Sequence, residues 1–311
     1  MTNSRRGLAG RLLGYLNERF PIQGVITNSI AYAAALLYGK AIVGDGELHV
    51  AVEDVLGVLG ILGYLLLARV FDEHKDFEFD VEHLPDRPLP RGSISWREVD
   101  GLGVAAFVVQ AAVSVAVDGG VGPVCFWWAI ALTYLVITRF EFFIRPWLRR
   151  HFVTNTVLHL PVYALGLVWI AQIGAEPEWV GTDVLWLAAY VYVATLGIDL
   201  WRKSHGPEDE REAVDSYTQR WGVTGASAMT AAVAVVCAAL AAVMLTVADA
   251  EAPAGYAALA WLPVPLFVGL VRFVGAPSRR TNKPKRDLLA ATLVGFNLIL
   301  ALTLAIDRGL A

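Results

Sequence analysis

Nine apolar stretches dominate the chain, each near the ~20 residues that a helix needs to cross a bilayer. They run over 22–43, 52–70, 98–117, 122–140, 155–174, 181–199, 223–248, 255–274 and 287–306. Inside hydrocarbon every backbone N–H and C=O must find a partner within the protein, which confines lipid-crossing segments of this length to helices. Composition agrees, because 56% of the 311 residues are hydrophobic and only 17% are charged, more grease than a soluble core of this size requires. The expected fold class is therefore all-α, a single polytopic membrane domain over 1–311 with about nine transmembrane helices.

The basic residues test that count independently, since Lys and Arg concentrate on the cytoplasmic side of membrane proteins. With the N-terminus cytoplasmic, nine spans place Arg5, Arg6, Arg11 and Arg19 on that side, then Arg69, Lys75, Arg87, Arg91 and Arg97. Arg139, Arg145, Arg149 and Arg150 follow, then Arg202, Lys203, Arg211 and Arg220, and finally Arg272, Arg279, Arg280, Lys283, Lys285 and Arg286. Only Lys40 and Arg308 remain for the other face. The expectation is an integral protein of the plasma membrane, with no nucleic-acid partner. Within 1–20, LAGRLLGYLNERF is short, amphipathic and punctuated by arginines, and reads as a helix on the membrane surface before Pro21 opens the first span. Cys125 and Cys237 both fall inside spans, where packing explains them better than a disulfide.

The connections GDGELH, DGGVGP and ADAEAPAG hold few groups able to do chemistry. Two connections on the basic side, 72–97 and 199–222, are rich in acids and lie four spans apart. In the first, Asp72, Asp76 and Asp80 stand at i, i+4 and i+8, so that on a helix they form a stripe with neighbours about 6 Å apart along the axis. Lys75 alone does not offset them, and a solvated acidic loop is the plain alternative. Magnesium suits such a stripe, because it takes one or two carboxylates and leaves its other positions to water and phosphate oxygens. Pro85, Pro88 and Pro90 end the helix and leave Arg87 and Arg91 beside the acids, where arginine can fork phosphate oxygens. In the second connection Asp199 closes an apolar run, an expensive place for an unpaired carboxylate, with Lys203 one turn on and Glu208, Asp209, Glu210 and Asp215 beyond. His74, His83, His151, His159 and His205 show neither HExxH spacing nor a companion cysteine, which argues against zinc. His159, beside Pro161, is a candidate for lining a cavity.

These motifs resemble the UbiA superfamily of intramembrane prenyltransferases. The family pattern NDxxDxxxD after the second span is matched by DEHKDFEFD at 72–80, with Asp for Asn and Glu for the first Asp. DRPLPRG, through Arg87, resembles the family's RPL segment. YLVITR at 134–139 resembles its Tyr-containing segment ending in Lys-Arg, with Thr138 for the lysine and Arg139 kept. The family's second DxxxD motif has no direct counterpart here, where the nearest pairings are Asp199 with Lys203 and His205 with Asp209.

The resemblance implies a helical bundle around a central cavity open to the cytoplasmic side, which receives an isoprenyl diphosphate. Catalysis would fall to Asp72, Asp76 and Asp199, and Mg2+ would be held by Asp72, Asp76, Asp80, Asp199, Asp209 and Asp215. Arg87, Arg139 and Lys203 would contact the diphosphate. Transfer of the prenyl group to an aromatic or lipidic acceptor is the expected reaction. A UbiA-type terpene cyclase, which uses the same ionisation without an acceptor, is the alternative. A transporter fits less well, because its ionisable groups belong at mid-membrane and these gather at one face.

Overall fold

The computed structural model describes residues 7–44, 47–210 and 215–309; Arg5, Arg6 and Arg211 lie outside them. The described residues form α1 (Leu8–Arg19), α2 (Ile22–Val43), α3 (Val52–His83), α4 (Trp96–Val117), α5 (Pro123–Arg139) and the single turn α6 (Arg145–Leu148). They continue as α7 (Phe152–His159), α8 (Pro161–Ala175), α9 (Val184–Lys203), α10 (Tyr217–Val247), α11 (Pro253–Trp261), α12 (Val264–Gly275) and α13 (Arg279–Asp307), with no strand among them. The all-α expectation holds.

Eight helical segments are long and apolar enough to cross a membrane, with α7–α8 and α11–α12 each acting as one span. The ninth apolar stretch is α5, a helix of only 17 residues. Its start is fixed by Asp118, whose carboxylate accepts from the backbone N–H groups of Gly122, Val124 and Cys125 at 2.8–3.0 Å, with Pro123 pre-set in its first turn. Its end is set by a turn that no helix can continue, described below.

The two broken spans follow from proline. Pro161 has no N–H to give the carbonyl four residues back, and its ring crowds the preceding turn. Two tyrosines satisfy carbonyls at this break: Tyr134 of α5 donates to Leu158 O at 2.8 Å, and Tyr192 of α9 to Val157 O at 3.3 Å. Leu262–Pro263 divides α11 from α12 in the same way.

The core has its tightest seam between α2 and α8. A Cβ at Gly39 would collide with the backbone carbonyl of Ala171, and one at Gly174 with that of Leu36. Small residues that let two backbones touch are a common means of helix association in lipid, where no hydrophobic drive separates tails from side chains. Gly39→Ala should therefore force the pair apart and cost about 1–3 kcal/mol, read as a lower melting temperature of the purified protein in detergent. Gly24→Ala, whose Cβ would meet nothing within 4 Å, should leave it unchanged.

α3 continues well past its apolar run, as one helix of 32 residues to His83. The acidic stripe therefore stands on the projecting end of a transmembrane helix. α1 is tied to this end through Arg19–Glu73 at 2.6 Å, and to the start of α4 through Arg11–Glu98 at 2.6 Å. Its Tyr15 is buried with Val70, Leu89, Ile94 and Val99, while Leu8 and Leu13 face outward.

Candidate active site

Carboxylates one helical turn apart repel, so each acid of α3 needs a cation or open solvent. The structure gives them different surroundings. Asp72 is 2.9 Å from Lys75 Nζ and 3.8 Å from Arg69, with its side chain 40% exposed. Glu73 is buried and held by Arg19 and the Tyr15 hydroxyl. Asp80 is 2% exposed and receives both 2.5 and 2.6 Å contacts from Arg87. Asp76, between them, has no hydrogen-bond or ion-pair partner among the described residues. The Asp80 carboxylate expected on a metal and the Arg87 guanidinium expected on a diphosphate contact each other.

The second half of the site is built on the end of α9. Asp199 accepts from Tyr217 Oη at 2.7 Å, from Thr156 Oγ1 at 3.2 Å and from Lys203 Nζ at 3.1 Å. Lys203 also lies 5.0 Å from the Phe152 ring centroid, which shields its inner side. The acids beyond α9 have other partners. Asp209 pairs with Arg279 at 2.5 Å, Glu208 accepts from the Arg279 backbone N–H at 2.7 Å, Glu210 accepts from Ser216 and Thr218, and Asp215 pairs with Arg220 at 2.9 Å. Burial pushes the His205 ring below its ordinary range, so it is neutral near pH 7 and adds no cation there.

The two halves face one another. Arg202 of α9 lies within electrostatic reach of Asp72 on α3. His159 of α7 is reached by Asp72 and Lys75 from one side and Lys203 from the other. Its Nδ1 engages Asn155 O at 2.8 Å, leaving a buried Nε2 without a partner.

Beside α3, the chain leaves α5 through Glu141, Phe142 and Phe143 at φ of 48°, 56° and 61°. Left-handed backbone costs a side-chain-bearing residue roughly 1–2 kcal/mol each, and aromatic residues adopt it rarely. Two contacts hold the turn: Arg145 lies 2.6 Å from Glu141 and donates to Lys75 O at 2.6 Å. The result is a cavity of about 320 Å³ lined by His74, Lys75, Arg139, Phe140, Glu141 and Arg145. Arg139 lies over the rings of Phe71 and Phe140, and its buried Nε has no hydrogen-bond partner.

Among the described residues no three His, Cys, Asp or Glu side chains converge as a closed metal cage. The α3 end nevertheless suits magnesium, which needs few protein carboxylates: Asp72 is part-exposed and Asp76 is uncommitted one turn away. Sequence reasoning missed Tyr217 and Thr156 as holders of Asp199, and Arg145 as the brace of the turn. Tyr217 stands 18 residues from Asp199 and carries no spacing signal.

Residues 30–293 match the model of the UbiA prenyltransferase family. Two solved structures share the fold at 14% sequence identity. One is a digeranylgeranylglyceryl phosphate synthase, with a TM-score of 0.62 and 96% of this chain and 99% of that chain covered. The other is a UbiA homologue from Aeropyrum pernix K1 without ligand, with a TM-score of 0.63 and 90% and 98% covered. A UbiA homologue from Archaeoglobus fulgidus bound to GPP and Mg2+ aligns at 13% identity and a TM-score of 0.49, covering 89% and 98%. No curated protein sequence matches the chain. With the family model spanning most of the chain, and two acidic helix ends facing each other at one end of an all-helical membrane bundle, this protein belongs to the UbiA prenyltransferase family.

Proposed function

We propose that the chain is a magnesium-dependent prenyltransferase that ionises an isoprenyl diphosphate inside the membrane and transfers the prenyl group to an aromatic or lipidic acceptor. The observation that carries this reading is a pair of charges without a hydrogen-bond or ion-pair partner among the described residues, one near the end of α3 and one at the end of α5. Among the described residues Asp76 has no hydrogen-bond or ion-pair partner, and Arg139 has a buried Nε without a hydrogen-bond partner. A folded protein tolerates such groups where a ligand completes them.

Asp72 and Asp76 are the residues that would hold Mg2+, which when bound neutralises the departing diphosphate and so favours cleavage of the allylic C–O bond. Arg139 and Lys203 are assigned to the diphosphate, one from each side. Asp199, gripped by Tyr217 and Thr156, fixes where the Lys203 ammonium stands. Arg87 acts through Asp80, holding the end of α3 rather than touching substrate. Asp209 and Asp215, already paired, are assigned to shaping the connection after α9. The distribution of Lys and Arg supports a cytoplasmic position for this end of the bundle.

The test uses membrane vesicles containing the protein, labelled isoprenyl diphosphates of several lengths, Mg2+, and a lipid extract as acceptor source. Everted vesicles should yield a heavier, prenylated lipid that requires Mg2+ and acceptor. Right-side-out vesicles should yield roughly none, because a diphosphate does not cross hydrocarbon unaided. A cyclic terpene made without acceptor would replace the transferase by a cyclase. Equal turnover in both vesicle types would overturn the orientation, and no diphosphate release from any substrate would overturn the assignment as a whole.

A further inference from the structure

A second cavity lies away from the acidic motifs, at the same end of the bundle but between α12 and α13. It encloses about 420 Å³, within the size range of small-ligand sites. Pro265, Val268, Pro284 and Leu288 give it apolar walls, and Arg272 and Arg280 line the same space. It shares no lining residue with the cavity at Lys75 and Arg139.

Three features bear on what fills it. Val268 is 48% exposed and its neighbours on α12, Val264 and Val271, are also exposed, so the apolar wall belongs to the outer surface of a membrane-crossing segment. Arg279 is paired with Asp209, but neither Arg272 nor Arg280 has a hydrogen-bond or ion-pair partner for its guanidinium among the described residues. Leu288 is pressed against Gly269, close enough that a Cβ on that glycine would meet it at 2.9 Å, so this leucine helps close the floor of the groove. A hydrocarbon slot at bilayer depth, with two uncommitted guanidinium groups at the polar end, matches an amphiphile with a negative head. Basic pockets between transmembrane helices are a recognised place for anionic head groups, and arginine forks phosphate oxygens in pairs.

We infer that this groove binds an anionic glycerophospholipid of the surrounding bilayer, with its phosphate between Arg272 and Arg280 and an acyl chain along Val268, Pro265 and Leu288. The site is separate from the reaction proposed above and does not depend on it. Charge selects the lipid, and the apolar wall holds its chain.

Purified protein in neutral detergent is titrated with phosphatidylglycerol and with phosphatidylcholine of the same chains, and bound lipid is counted by native mass spectrometry. Wild-type protein should prefer phosphatidylglycerol by roughly tenfold or more, from about a factor of five for each arginine near the phosphate. R272Q/R280Q should bring the two lipids within about twofold of each other, whereas K283Q, an exposed lysine on α13 outside the groove lining, should keep the preference. Val268→Trp, which fills the slot and leaves the charges in place, should also lose the bound lipid. Inorganic phosphate should not displace phosphatidylglycerol, because it lacks the chain. The inference fails if wild-type protein binds the two lipids equally, if R272Q/R280Q keeps the preference, if K283Q loses it to the same extent, or if Val268→Trp binds as wild type. Self-association through this face would also overturn it, seen as wild type running as a dimer that Val268→Trp converts to monomer.

Discussion

Asp76→Ala should lower diphosphate release by roughly 10²- to 10³-fold, the loss typical of removing one preorganised group that answers transition-state charge. The protein should remain folded in the membrane, because among the described residues no hydrogen bond or ion pair is lost with this side chain. Folding should even gain a few tenths of a kcal/mol, since Asp72 and Asp80 stand one turn away on either side and like charges at that spacing repel. Glu78→Ala is the control, on an exposed face of the same helix, and should stay within about threefold of wild type. Comparable losses in both variants, or in neither, would show that the stripe is solvated charge.

Asp199→Ala should be the second severe lesion, with a different signature. It removes the acceptor for Tyr217, Thr156 and Lys203 together and leaves Lys203 beside Arg202 without its hydrogen-bonded carboxylate. Activity should fall by about 10²-fold, and unlike Asp76→Ala it should also lower the melting temperature, because a part-buried hydrogen-bonded ion pair is broken. Tyr217→Phe keeps the carboxylate and one of its two hydroxyl donors, and should cost about tenfold or less. Full activity in Asp199→Ala would make the α9 end structural and confine the chemistry to α3.

The helical class and the family were legible in the sequence because both rest on local signals. Apolar length marks a span wherever it occurs, and 72–80 carries its acids at fixed spacing on one helix. The count of nine met a short α5, because its ends depend on the Asp118 cap and the left-handed turn rather than on hydropathy. Partner choice was not legible. Nothing in the spacing of DEHKDFEFD tells that Glu73 meets Arg19, which lies 54 residues earlier, or that Asp80 meets Arg87 while Asp76 has no hydrogen-bond or ion-pair partner among the described residues. Those pairings are decided by how α1 and the proline-rich segment fold back on α3. The acids at 208–215 looked like candidate ligands for the same reason, since only packing reveals Arg279 as the partner of Asp209.

The ties at Glu73 and Asp80 fall on either side of Asp76 along one helix. A rod clamped at two points cannot slide or roll between them, so the position of the Asp72–Asp76 edge is settled when the chain folds. What remains to be ordered on ligand arrival is the rotamer freedom of two short side chains, about a kcal/mol or less each, whereas a free loop would have to freeze its whole backbone. By this reasoning affinity for the diphosphate should be insensitive to solvent viscosity and loop-stiffening cosolvents. Releasing the Arg19 tether should weaken binding by softening α3, with every group that touches substrate still present.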